Sequence, residues 1–183
     1  MGTRNPGQRA GLTRGAVLAA ANELLAERGL AALTMRAVAT RLDVAPNALY
    51  SHVANKTALL DEVLDERLAL VTEPDPDGDP AAGLHAVMTS TRAVLLDRPD
   101  LVPLYLARQG ARGPHAQRLG EVMLGLMDRA GVTGGDAREA LRVLIVYTIG
   151  FAALGTGGPL AADETARSFD RGLRWLLTGI IPG

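Results

Sequence analysis

The amino-acid sequence predicts an all-α fold in two parts: an N-terminal three-helix helix-turn-helix unit and a C-terminal helical domain. Three observations carry that reading. Apolar residues recur at three- and four-residue spacing along most of the chain. The one strand-like run, Val-Leu-Ile-Val-Tyr at 143–147, has no second such segment to pair with, so it reads as helix. A break at Thr72–Pro80 (TEPDPDGDP), with three Pro, one Gly and four acids, interrupts the helical pattern. The expected divisions are a helix-turn-helix domain at 1–56, a connecting helix at 57–71, a linker at 72–80 and a helical domain at 81–183.

Residues 1–12 lack periodicity and read as an arm. Thr13 can cap the first helix, whose buried face is Val17, Leu18, Ala21, Leu24 and Leu25, with Gly29 as its stop. Thr34 is a plausible N-cap for the next, where Val38, Ala39 and Leu42 repeat at helical spacing. Asp43 can take the left-handed turn position. Pro46 suits the first turn of a following helix, because its missing N–H would be unpaired there anyway. That helix carries Asn47, Tyr50, Ser51 and His52, all able to reach outward. Two short helices around a tight turn form a helix-turn-helix, which lays its second helix in the DNA major groove.

Asn55 then caps a helix with Leu60, Val63, Leu64, Leu68 and Val71 on one stripe. After the 72–80 break, helices are expected at 81–97, 101–108 and 114–130, with breaks at Pro99, Gly110–Pro114 and Gly131. Asp136 and Glu139 make a capping-box pattern for a helix over 136–154, apolar on every face after Arg142. Gly155, Gly157, Gly158 and Pro159 end it. A last helix over 163–178 shows Phe169, Leu173, Leu176 and Leu177 at helical spacing.

Net charge is −1 for 183 residues, but it is unevenly placed. Residues 1–56 carry seven Arg or Lys against three acids, a net of +4; residues 57–183 carry twelve against seventeen, a net of −5. A basic end on an acidic body suits one DNA-facing end. Without Cys the chain has no disulfide, thiolate metal site or cysteine nucleophile. His52, His85 and His115 have no companion carboxylates at ligand spacing, so no metal is expected. No activated nucleophile, phosphate loop or cofactor motif is present, so no catalytic residue and no cofactor is assigned. The polar, basic start does not read as a signal peptide, and the apolar run 143–154 is too short to span a bilayer. A cytoplasmic protein is the expectation.

Arg36, the run Leu49-Tyr50-x-His52-Val53-x-Asn55-Lys56-x-x-Leu59-Leu60 and the amphipathic helix before them resemble the tetracycline-repressor (TetR) family of bacterial regulators. The Tyr-x-His-Val-x-Asn-Lys form is nearest the branch of the tetracycline repressor itself. The resemblance covers about the first 70 residues. Two residues depart from the family pattern: Asp43 where Gly is usual, and Ala45 where a capping Ser or Thr is usual.

The resemblance implies a ligand-responsive transcriptional repressor that binds a palindromic double-stranded DNA operator as a homodimer and is released by a small-molecule effector. The alternative is a helix-turn-helix regulator controlled by a protein partner or by abundance. The implied DNA-contacting residues are Thr34, Arg36, Pro46, Asn47, Ala48, Tyr50, Ser51, His52 and Lys56. Arg36 can fork onto a guanine or a phosphate, or stay solvated. Asn47 can pair with adenine or stabilise its own turn. Ala48 offers a methyl group, Tyr50 a hydroxyl for phosphate. Lys56 opens a helix whose free N–H groups favour an anion, an unfavourable place for a cation unless a phosphate docks there. The family's last long helices pair across a two-fold axis. The implied dimer positions are Leu141, Ile145, Thr148, Ile149, Ala152, Phe169, Leu173, Leu176 and Leu177. The polar, aromatic or soft side chains that could line an effector pocket are His85, Met88, Arg92, Tyr105, Arg108, Gln109, His115, Met127, Tyr147 and Phe151.

Overall fold

The computed structural model describes residues 11–108, 110, 112–156 and 161–182. Among them every regular element is helical: α1 Arg14–Arg28, α2 Met35–Arg41, α3 Pro46–Leu49, α4 Lys56–Leu68, α5 Pro80–Asp97, α6 Val102–Arg108, α7 Pro114–Arg129, α8 Gly134–Gly155 and α9 Ala162–Ile180. Single 3-10 turns precede Leu33 and α6. The run 143–147 lies within α8, as its want of a strand partner required.

The chain divides into two compact units, one ending at Val63 and the other beginning at Leu64. The division falls inside α4 and not at 72–80. The acidic, Pro-rich segment is instead tied to the second unit: Arg129 donates to the carbonyls of Pro76 and Gly78, and Arg118 pairs with Glu73. Leu68 and Val71 before it are buried in that unit's core.

The first unit is built around the buried face of α1, Val17, Ala20, Ala21, Leu24 and Leu25. Thr13 caps α1, accepting from Ala16 N at 3.1 Å, and Gly29 ends it at φ 71°. Leu33, Val38, Ala39, Leu49, Val53, Leu59, Leu60 and Val63 complete the core. Arg41 crosses back to α1, bonded to Glu23 at 2.9 Å and to Glu27. The hydrogen bonds to Glu27 and Glu23 hold its guanidinium above its usual pKa, so this Arg is committed within the unit.

In the second unit α5 packs against α7, α8 and α9, and α6 packs against α8. The core runs through Leu84, Val87 and Met88 on α5, Leu119, Met123 and Met127 on α7, Leu144 on α8 and Phe169 and Leu173 on α9. In α9 the buried positions are Thr165, Phe169, Leu173 and Leu177, one per turn, so a single stripe faces inward. The expected Asp136–Glu139 cap does not form. Helix α8 starts two residues earlier at Gly134, and Glu139 pairs with Arg142 one turn on.

Candidate DNA-reading head and effector cavity

The turn between α2 and α3 is closed by backbone. Asp43 N donates to Thr40 O at 3.2 Å and Val44 N to Ala39 O at 3.0 Å, the paired bonds of a Schellman stop, with Asp43 left-handed at φ 53°. Thr34 caps α2, its hydroxyl accepting from Ala37 N at 3.0 Å. Helix α3 starts on Pro46 with no side-chain cap, because Ala45 offers no oxygen. Its regular part is one turn, Pro46–Leu49, continued by the bonds from His52 N and Val53 N to Leu49 O, both 2.9 Å.

Around that turn Pro46, Asn47 and Tyr50 are exposed, Tyr50 at 52%. Ser51 is exposed, but its hydroxyl donates to Ala48 O at 2.7 Å, so it serves the turn first. Ala48 and His52 are half-buried. Arg36 on α2 is exposed and pairs with no acid among the described residues. Lys56, half-buried, is the first residue of α4, and Asn55 beside it caps that helix by accepting from Ala58 N at 2.9 Å. The head thus presents unpaired cations, an amide and a phenol in one sequence neighbourhood.

In the second unit a cavity of about 120 Å³ lies among α5, α6, α7 and α8, lined by Leu68, Val87, Met88, Thr91, Leu95, Tyr105, Gly110, Ala116, Leu119, Gly120, Met123, Leu141, Ile145, Thr148 and Ile149. Of the ten residues proposed for a pocket on sequence, Met88 and Tyr105 line it. Met127 is buried in the core beside it. Tyr147 and Phe151 form an aromatic cluster with Phe169, centroids 4.7 and 5.4 Å from Tyr147, and Arg92 lies 5.2 Å over the Phe169 ring. Burial pulls the Arg92 guanidinium below its usual value and pushes the Tyr147 phenol above its own. His85 bonds Asp170 at 2.8 Å. His115 and Arg108 are half-buried outside the lining, and Gln109 falls outside the described residues.

The apolar positions assigned to a dimer face also divide. Thr148, Ile149, Ala152, Phe169, Leu173 and Leu177 are buried within the subunit's own fold, because α8 and α9 turn their most apolar stripes on α5. Leu141 and Leu176 are half-buried, and Ile145 is at the edge of exposure. Besides Ile145, the large apolar side chains left exposed on these helices are Val143, Val146, Leu154 and Trp175, the last at 71%.

Two side chains hold the last turns of α4 to the cavity wall: Asp65, which the sequence does not single out, and Tyr105, expected only as a pocket residue. Asp65, 4% exposed, accepts from His115 N at 3.1 Å and Ala116 N at 2.9 Å, and so caps α7, whose own N-cap Gly113 has no side chain to do so. Tyr105 donates to Leu64 O at 2.6 Å, and its burial raises the phenol's pKa, keeping it neutral. Among the described residues no cluster of three His, Cys, Asp or Glu could hold a metal ion, and no helix is long and apolar enough to cross a membrane.

Residues 17–63 match the family described as bacterial regulatory proteins, tetR family. The class C tetracycline repressor of Escherichia coli is 34% identical over 76% of this chain; the match spans 64% of that repressor's length. The class D repressor of the same organism is 34% identical over 84% of this chain and 74% of its own. Among solved structures, BioQ with its double-stranded DNA operator aligns at TM-score 0.73 and 32% identity, over 93% of this chain and 98% of that one. A TetR variant of Acinetobacter baumannii in complex with minocycline aligns at TM-score 0.80 and 32% identity, over 92% of this chain and 96% of that one. With the head's motif, the all-helical body and these likenesses along both, the chain belongs to the TetR family of bacterial transcriptional regulators.

Proposed function

We propose that this chain is a ligand-responsive transcriptional repressor of the cytoplasm, which binds a palindromic operator as a homodimer and leaves it when a small molecule occupies the body. The observation that carries this reading is the exposed set Arg36, Asn47 and Tyr50 with Lys56 close by in sequence: cations free to grip phosphate beside an amide and a phenol free to read or position. Arg41, which could have joined them, is spent on Glu23 and Glu27. Thr34, Pro46, Ala48, Ser51 and His52 shape the reading surface, with Thr34 and Ser51 acting through their backbone bonds. Val143, Val146, Leu154 and Trp175 supply an apolar face for a second copy.

Release requires that the effector bind one arrangement of the protein better than the other. Helix α4 is the element to carry that preference. Its first residue is Lys56, and its last, Leu68, lines the cavity. The test is a gel shift on DNA upstream of the chain's own gene. Binding to an inverted repeat is expected, with half-site centres ~34–36 Å apart or a multiple of that. Affinity should fall steeply with salt through counterion release. Salt-independent binding, or none to that fragment, would reject the reading.

A further inference from the structure

The cavity's size and wall chemistry select a narrower ligand class than its position does. A cavity of about 150 Å³ lined by aliphatic side chains holds benzene, and this one is about 120 Å³. It therefore has room for roughly one six-membered ring. No charged side chain lines it. An ion seated against this wall would give up hydration with no charged partner beside it, a cost that disfavours anions and cations there.

Three hydroxyls face this apolar wall, and each has already placed its proton. Thr91 donates to Val87 O at 2.8 Å, Tyr105 to Leu64 O at 2.6 Å and Thr148 to the Met88 sulfur at 3.3 Å. What they offer inward is lone pairs. A ligand that donates one hydrogen bond finds acceptors there at once, whereas one that only accepts must first draw a hydroxyl off its present partner. Thr148 is the most available of the three. It is 1% exposed, and its partner is a thioether, a weak acceptor that satisfies it poorly.

We propose that the cavity takes an uncharged monocyclic molecule of the phenol class, its ring among Val87, Leu119 and Ile149 and its O–H donated to the Thr148 oxygen. The inference rests on the reading of the body as an effector receiver and specifies what it receives. The polycyclic minocycline bound by the Acinetobacter relative lies outside this class.

Binding is measured by calorimetry on the full chain without DNA, so its outcome is independent of operator recognition. The probes are phenol, anisole, toluene, benzoate and minocycline. Phenol should bind about three- to tenfold tighter than anisole or toluene, the worth of one added hydrogen bond. Benzoate should bind more weakly than phenol. Thr148→Val should remove phenol's advantage and leave toluene binding unchanged. Gly120→Leu gives an independent arm. A Cβ on Gly120 meets nothing nearer than Leu141 Cδ2 at 3.9 Å, so a larger side chain can grow into the cavity. That variant should lose phenol binding while melting no lower than wild type. Phenol binding unchanged in Gly120→Leu, an advantage over anisole that survives Thr148→Val, benzoate tighter than phenol, or minocycline binding abolished by Gly120→Leu would each overturn the proposal. If phenol binds as expected but leaves operator affinity unchanged, the ligand class stands and the switch under Proposed function fails.

Discussion

Lys56 shows how one residue can separate a structural role from a functional one. A cation at the first position of α4 faces the positive end of that helix. Removing it should leave stability unchanged or slightly raised. If its task is to grip a phosphate, Lys56→Ala should nonetheless weaken binding to all DNA sequences alike and lower the salt slope by about one. Asn47→Ala should instead relax preference at a single base position, at ~1–3 kcal/mol for a bidentate contact. Operator titrations at several salt concentrations, on specific and scrambled DNA, measure both. Two variants that fold and bind like wild type would move the reading surface elsewhere. Much at this scale was legible in advance. Thr13, Thr34 and Asn55 each cap the helix they precede, and Asp43 holds the left-handed turn. These are contacts within three or four residues, where sequence order and spatial order coincide. Ser51 is legible only in part: its place in the helix marks it as outward, but its bond to Ala48 O has no sequence signature.

At the scale of elements, the informative join is that of α4 with α7. Gly113 leaves the start of α7 without a side-chain cap, and a carboxylate from 50 residues away supplies one. A Cβ on Gly113 would overlap that carboxylate, so glycine and aspartate belong to one device. Asp65→Ala strands two N–H groups in a part-buried place and should cost ~1–3 kcal/mol. Gly113→Ala should also destabilise, by driving the carboxylate off the same donors. The double variant should lose less than the sum of the two, since the second change has no intact cap left to break. Urea denaturation of the three variants reads this out. Additive losses would mean that the two residues act separately. No pattern in the sequence pointed to this cap, because nothing local links position 65 to position 115. The Asp136–Glu139 pair fails for a different, local reason. Helix α8 begins at Gly134, with Thr133 at the cap position, and this carries both residues past the cap. The cavity was unreadable for the same reason as the Asp65 cap. Its wall combines one face each of α5, α7 and α8 with part of α6, and most of its residues are ordinary core types.

For the whole molecule, the question is which apolar surface a second copy would cover. Periodicity marked α8 and α9 as too apolar for the outside of a small body, and that surplus is real: Val143, Val146, Leu154 and Trp175 remain in water. It did not separate the stripe facing α5 from the stripe facing out, because both faces of α8 are aliphatic. Burial makes that separation. Leu173 is fully buried in its own subunit, whereas Val146 is 63% exposed. Arg at 173 would place an unpaired charge in the core and should prevent folding. Arg at 146 has water around it in a single copy, so the subunit should fold with helical content and melting cooperativity intact. In a dimer closed over this face the same Arg would be buried without a partner. Val146→Arg and Trp175→Arg should therefore sediment as folded monomers at micromolar concentration, where wild type should sediment as a dimer. If the proposed dimer reads two half-sites at once, each variant should also lose operator affinity far more than a single lost side-chain contact would explain. A wild-type monomer would reject the dimer outright. A Val146→Arg, Trp175→Arg double variant that still sediments as a dimer would show that a different surface holds the two copies together.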